Sequence, residues 1–332
     1  MTTLVVGPNW VGDMVMAQSL FKVLLSSYEN ANIDVLAPAW TLPLLARMPE
    51  VRQSHVAPFA HGQLALAKRW QLGRKLRSYQ YDQAIIIPGS WKSAVVPWAA
   101  AIPKRTGWLR EQRWGLLNDI RFLDKLRYPT MVERLVALAY PAKEKLPVPS
   151  PSPSLQINAV LVENAMRLFN LSMSDGPVLA LCPGAEYGPA KRWPAQHFAS
   201  IAKTKLDEGF QVWIFGSAKD HDVAAEINIL TQNRCVNLAG ETELSQAVDL
   251  LSLASVVVTN DSGLMHVACA LDRKVVAVYG SSSTHFTPPL SNKAEVVKLD
   301  LECSPCFKRE CPLRHLNCLM QLSPKIVLDK LK

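Results

Sequence analysis

No apolar stretch in this sequence is long enough to cross a bilayer. The longest nearly uninterrupted run, AVVPWAAAI at 94–102, is about half of the roughly 20 residues that a spanning helix needs. A basic leader is also lacking. The chain opens MTTLVVGPNW, with no positive charge ahead of its first apolar segment, so it does not read as a signal peptide. A soluble, cytoplasmic protein is the expectation. The GxGxxG spacing of dinucleotide-binding loops is missing from the glycine loop GPNWVGD at 7–13. Seven cysteines, an odd number, argue against a fully paired disulfide framework. What is present is 49% apolar and 19% charged over 332 residues. That is core material for about two domains, not a disordered chain.

Positive charge is confined to one half. Residues 1–150 hold 19 lysines and arginines against 10 acidic residues, whereas 151–332 hold 17 against 18. Such a field draws nucleic acid, an anionic membrane surface or an acidic substrate, and does not choose among them. No RNA- or DNA-binding motif accompanies it, so nucleic acid is not an expected partner. Lys68, Arg69, Arg74, Lys75 and Arg77, with Lys104, Arg105, Arg110 and Arg113 beyond, can bind phosphates or anionic lipid. The alternative is a merely solvated helix face. Seven of the nine tryptophans (10, 40, 70, 91, 98, 108, 114) also lie in this half, where core or half-buried packing is expected of most of them.

The pattern along the chain is an α/β alternation that runs twice. Thr3–Val6, Ile33–Pro38 and Asp82–Gly89 read as buried strands, with helices over Met14–Leu25, Leu64–Arg77 and Lys92–Ala101. PAKEKLPVPSPSP, at 141–153, holds five prolines and no periodicity, which marks a linker. Beyond it come strands at Val178–Cys182, Gln211–Phe215, Val256–Thr259 and Val275–Tyr279. The helices between and after them are Pro194–Glu208, Asp222–Thr231, Leu244–Ala254 and Leu264–Leu271. We therefore expect two doubly wound, Rossmann-like lobes, 1–150 and 151–332, facing a cleft. The final helix can pack back on the first lobe. In open α/β sheets ligands sit beyond the carboxyl ends of the strands, so the loops there carry the chemistry.

Four such loops stand out. In Gly7–Asp13, the glycines let the backbone turn closely and Asp13 stands at the start of a helix, where capping is its ordinary use. In Cys182–Pro194, Gly184 and Gly188 precede Lys191 and Arg192 and then a helix start. That is a phosphate cradle, or else a solvated cation pair. In Phe215–Asp220, Gly216 and Asp220 suit ribose hydroxyls, or Asp220 is a first-turn helix acid. In Val256–Leu271, a strand ends at Asn260-Asp261-Ser262-Gly263 and a helix begins at once, aiming amides and the helix dipole at an anion. His266 lies one turn in, as a ligand contact or as a packed core histidine.

NWVGD, PGAxxGxAKRWP and NDSGxxHVA, in that order and at these positions, resemble the heptosyltransferases of glycosyltransferase family 9. The resemblance covers essentially the whole chain. It implies a glycosyltransferase B fold with the acceptor on the first lobe and a sugar nucleotide on the second. It also implies inverting transfer of L-glycero-D-manno-heptose from ADP-heptose to the first heptose of the lipopolysaccharide inner core, at the cytoplasmic face of the inner membrane. An acceptor rich in carboxylates and phosphates matches the basic first half. The resemblance implies Asp13 as catalytic base, with Gly12, Asn9 and Trp10 beside the acceptor. It implies Lys191 on the diphosphate, Asp261 on the donor sugar and the Ser262 and Gly263 amides as diphosphate donors. Asp220 aligns with a ribose-binding acid, and Gly184, Gly216 and His266 complete the donor set. The chain departs from one branch of the family at Glu186-Tyr187 and at Thr242, so adenine and phosphate contacts are not carried over there. A lysine and helix amides suffice to stabilise a departing diphosphate, so neither a cofactor nor a divalent metal is expected in the transfer. Two rivals share the architecture: an enzyme, including an epimerase, acting on another nucleotide sugar, and a non-catalytic two-lobed binding protein.

Cys182, Cys235 and Cys269 fall in apolar runs and read as small core residues. Cys303, Cys306, Cys311 and Cys318 are crowded together, and reduced packing thiols are the first reading. A four-thiolate zinc site and a disulfide are the alternatives, zinc being weakened because only one pair has the CxxC spacing.

Overall fold

A computed structural model describes residues 1–60 and 62–331 of the chain. The chain divides into two compact units, Met1–Pro153 and Ser154–Lys332, and residues 141–153 form neither helix nor strand.

The first unit runs β1 (Thr2–Val6), α1 (Val11–Ser27), β2 (Asn32–Ala37), α2 (Leu42–Leu45), β3 (Gln53–Val56), α3 (Leu66–Leu76), β4 (Gln83–Ile86), α4 (Val95–Ala99), β5 (Lys104–Trp108), β6 (Asp119–Arg121) and α5 (Met131–Val136). Its six strands are parallel in the order β3-β2-β1-β4-β5-β6. Parallel strands covered on both faces require continuous apolar runs. LVV in β1 and AII in β4 supply them, and Leu4, Val5 and Ile86 are buried. Asp34 is the polar exception in β2. Burial alone would push its carboxyl up, but hydrogen bonds from His55, Arg52 and Tyr81 outweigh it and hold the group well below the usual carboxylate range. α1 is buried on most of its surface, as expected of a helix apolar nearly all round.

Two expectations for this unit need correction. Four of the nine singled-out basic residues are structural. Arg69 is buried and donates to the Leu64 and Gln63 carbonyls, Arg77 to Ala99, and Arg105 to Leu116 and Ile102. Arg113 clamps the strand ends through Pro88 and Trp108, and burial pushes its guanidinium down only to about 10, so it stays charged. A guanidinium's fixed fork suits such carbonyls better than an ammonium does. The tryptophans are the second correction: Trp10, Trp40, Trp70, Trp91, Trp98 and Trp114 are exposed. The aliphatic side chains of the central strands already fill the core, which leaves these rings on loops and outer helix faces.

The second unit runs α6 (Ala159–Leu168), β7 (Val178–Cys182), α7 (Ala195–Asp207), β8 (Gln211–Ile214), α8 (His221–Leu230), β9 (Val236–Asn237), α9 (Leu244–Leu251), β10 (Val256–Asn260), α10 (Gly263–Ala270), β11 (Lys274–Val278), β12 (Ala294–Val297), α11 (Asn317–Met320) and α12 (Pro324–Lys330). The sheet order is β12-β11-β10-β7-β8-β9, with parallel ladders throughout. Counted within its own unit, this is the order of the first sheet: third, second, first, fourth, fifth, sixth. The final helix buries Val327 in the core of its own unit, against α7 and β12, and Leu331 just after it joins the same cluster. In sheets of this order the chain reverses direction of winding between the first and fourth strands, and the loops there splay apart to leave a crevice. Those positions are β1|β4 and β7|β10.

Candidate functional site

In the first unit the loop after β1 lies at this reversal. Gly7 donates its N–H to the Leu36 carbonyl at 2.9 Å, and a Cβ on it would stand 2.7 Å from Met14 Cε. Trp10 is the N-cap of α1, without a side-chain cap, so the helix begins before Asp13 and not after it. Asp13 sits in the first turn, half-buried, where the N-terminal amides and dipole favour a carboxylate. Gly12 is buried. Asn9 is half-buried and its carbonyl accepts from Trp40 Nε1. Asn9, Trp10, Gly12 and Asp13 thus share one short turn.

In the second unit the loops after β7 and β10 meet, and a residue the sequence reading did not single out joins them. Asn260, fully buried at the end of β10, accepts from the Trp193 N–H at 3.0 Å and donates to the Pro183 carbonyl at 2.6 Å. Trp193 is itself buried, with Nε1 on the Leu322 carbonyl. The short turn Pro189–Lys191 is thereby pinned beside α10. Lys191 Nζ lies 2.5 Å from Asp261 Oδ2, and Tyr187 offers its ring at 5.1 Å from the same ammonium. Ser262 is the N-cap of α10 and Gly263 its first residue. Their amides belong to the turn whose N–H groups have no partner within the helix. An ammonium, a carboxylate and amides at one helix start are groups able to bind an anion together with hydroxyls.

His266 stands behind this pair, buried, and its Nδ1 has no hydrogen-bond partner among the described residues. Burial pushes its imidazole down to about 4; Asp261 opposes that shift and Lys191 adds to it. The ring is therefore neutral at pH 7.

Gly184, Gly216 and Asp220 converge as a second group. A Cβ on Gly184 would stand 2.4 Å from the Asp220 carboxyl carbon, and one on Gly216 2.8 Å from Asp220 Cβ. Asp220 Oδ2 accepts from the Ser217 N–H and hydroxyl, and Oδ1 lies 3.6 Å from Arg192. Asp220 and Asp222 have an Asp-x-Asp spacing, yet the first is buried and the second fully exposed, so they do not form a paired acidic site. Glu186 forms an ion pair with Lys219, and Thr242 Oγ1 donates weakly to the Leu238 carbonyl at 3.4 Å. Ser281 and Ser282, at the end of β11, are also missing from the sequence reading. Both hydroxyls are buried without partners among the described residues. Their only signal was the run GSSST after a strand. Burial pushes the Cys182 and Cys269 thiols up, the latter to about 12, so neither supplies a nucleophile.

Comparison with known proteins finds relatives that span the whole chain. The model of glycosyltransferase family 9 (heptosyltransferase) matches residues 69–317. Lipopolysaccharide heptosyltransferase 2 of Escherichia coli K12 is 50% identical over 340 residues, covering 100% of this chain and 97% of its own. Lipooligosaccharide heptosyltransferase 2 of Haemophilus influenzae is 44% identical over 343 residues, with 100% and 98% covered. The solved structure of E. coli ADP-heptose lps heptosyltransferase II superposes with a TM-score of 0.90 at 48% identity, covering 100% of this chain and 97% of that one.

The buried histidine gives a pH signature. Its folded value, about 4, lies below the unfolded 6.5, so as pH falls the unfolded chain takes up the proton first. The contribution is intact above about pH 6.5 and drains between 6.5 and 4, on the order of 3 kcal/mol in all. Denaturant titrations across this range should show that slope in the wild type and lose it in His266→Leu.

Proposed function

The chain belongs to glycosyltransferase family 9, the heptosyltransferases, and we propose that it moves heptose from ADP-heptose onto the first heptose of the lipopolysaccharide inner core. Heptose transfer in lipopolysaccharide inner-core biosynthesis is its activity. The choice of acceptor and the division of labour among residues are the proposal. The observation that carries it is the meeting of Lys191, Asp261 and the α10 amides where the second sheet reverses its winding.

The donor diphosphate takes Lys191 and the Ser262 and Gly263 amides. Asp261, released from Lys191, turns to hydroxyls of the donor sugar. Asp220 presents Oδ1 to the ribose, with Gly184 and Gly216 leaving the space a Cβ would fill. His266, neutral, supports the pair from behind and adds no charge. On the acceptor side, Asn9, Trp10 and Gly12 form the turn that carries Asp13. The acceptor oxygen bonds to the anomeric carbon as the bond to the β-phosphate oxygen breaks, with the electron pair leaving on ADP. The acceptor proton passes to Asp13, and the β-linked donor gives an α-linked product. Negative charge grows on the departing diphosphate as the bond opens, and preorganised donors act most strongly there. A lysine and two amides meet that need, and the reading asks for no metal at the reacting centre.

The acceptor is anionic and lipid-borne, which suits the first unit. Among the described residues no helix is long and apolar enough to cross a membrane. Lys68, Arg74 and Lys75 on α3 are exposed, and Trp70 on the same helix lies 5.3 Å from Trp98 on α4, ring to ring. Exposed cations beside indole rings fit peripheral contact with the anionic cytoplasmic face of the inner membrane.

Incubation with ADP-heptose and a one-heptose core acceptor should release ADP and raise the acceptor mass by one heptose; ADP release without that product would refute the acceptor. Asp13→Asn should lower kcat by about 10²–10⁴-fold with donor affinity nearly unchanged. Lys191→Ala should weaken ADP binding and slow transfer by about 10²–10³-fold. Sedimentation with anionic vesicles should fall with rising salt and fall further in Lys68→Glu/Lys75→Glu, while neutral vesicles leave the protein in solution.

A further inference from the structure

The segment between β12 and α11 is the least conventional part of the second unit. Residues 301–316 contain no helix or strand and not one buried residue. Three non-glycine residues in it, Phe307, Arg314 and Leu316, hold left-handed backbone conformations, at φ 56°, 60° and 50°. Strained positions of this kind persist only where surrounding structure fixes them, and apolar burial does not do so here. The segment nevertheless holds the donor loop. Phe307 donates its N–H to the Ser281 carbonyl, the Tyr187 hydroxyl donates to the Phe307 carbonyl, and Ala190 N–H donates to the Arg309 carbonyl at 3.0 Å. Gly188 lies so close that a Cβ would stand 2.5 Å from that same carbonyl.

All four cysteines of this region, Cys303, Cys306, Cys311 and Cys318, line one small cavity together with His315, and none is in a disulfide. The Ser281 hydroxyl, buried and without a partner among the described residues, belongs to the same lining. Lys308, Arg309 and Arg314 are interleaved with the cysteines, alongside Glu302 and Glu310.

We propose that Cys303, Cys306, Cys311 and Cys318 form a structural four-thiolate site for one thiophilic divalent cation, zinc or ferrous iron, that fixes the segment supporting the Lys191 loop. Tetrahedral thiolate coordination is the closed, structural form of such sites. Binding releases four thiol protons to solvent and leaves a site of net charge −2, with no change of oxidation state. Among the described residues no group of three metal-ligating side chains stands ready to hold an ion. The cation therefore draws the sulfurs inward, and an irregular segment without buried side chains can yield to it. Cys311 and Cys318 are separated by six residues, beyond the two to four usual within a ligand pair.

Full-length protein purified tag-free under reducing, chelator-free conditions should carry one equivalent of zinc or iron by elemental analysis, which also tells the two apart. Cobalt(II) added to stripped protein should give the visible bands of a tetrahedral thiolate complex. Cys303→Ser and Cys311→Ser, at partly exposed positions, should lose the metal, whereas Cys235→Ser keeps it. Hydrogen exchange over 185–192 should quicken in the stripped protein. Absence of bound metal together with no cobalt spectrum would overturn the site, as would a Cys303–Cys306 disulfide in the freshly isolated protein. These readouts do not depend on heptose transfer, so their failure and the failure of that reaction are separate results.

Discussion

The side chain of Asn260 is the constraint on which the meeting of the β7 and β10 loops depends. It is a short amide at the end of a buried strand, and both its polar atoms are used on backbone of another loop. One bond reaches the chain at Pro183 as it leaves β7 and the other reaches it again at Trp193, so the nine residues between form a closed loop with fixed ends. Removing either partner would leave a buried backbone group unsatisfied, at about 1–3 kcal/mol. The position of Lys191 beside α10 is therefore set by the interior of the protein, not by its own long and flexible side chain. Such preorganisation is what an electrostatic site needs if its donors are to act without rearranging during the reaction.

In the pair Lys191–Asp261, an ammonium and a carboxylate only 2.5 Å apart, both largely shielded from solvent, satisfy each other; the proposed reaction has a diphosphate take the first and sugar hydroxyls the second. The desolvation cost of the two charges is already met in the resting protein. His266 contributes to the same economy of charge: a protonated imidazole behind Lys191 would add a second cation in an apolar setting, and burial prevents it.

The long apolar strands β1, β4, β7, β10 and β11 and most of the long helices were legible within a few residues, because parallel strands buried on both faces have no choice but to be continuously apolar. β3, β5 and β6 were not, since QSHV, KRTGW and DIR carry no apolar period and are held by their neighbours' ladders. The N-terminus of α1 was placed too late because Trp10 caps it without a side-chain hydrogen bond, leaving no residue type to mark the start. In the site, residues with distinctive chemistry were visible: Asp13, Lys191, Asp261 and the Ser262-Gly263 turn. Asn260 was not, for an asparagine ending a strand looks the same whether it bridges two loops or merely turns the chain. The arginines misled in the opposite direction. Arg69 and Arg113 count toward surface charge in a composition, but each is occupied by backbone carbonyls inside the unit.

Each sheet finds all of its hydrogen-bonded neighbours within its own unit. During synthesis, every strand of the first sheet is therefore available before Ser154 has left the ribosome, and that sheet can form while the second unit is still being made. Within each unit the order of events is less favourable. β1 pairs with β4 at Thr3 and Gln83, so one edge of the central strand waits for about eighty residues of chain, and β7 waits similarly for β10. Pairings that distant are slow to close and leave apolar edges exposed meanwhile, which makes the nascent half-unit, and not the finished protein, the form most in need of a chaperone.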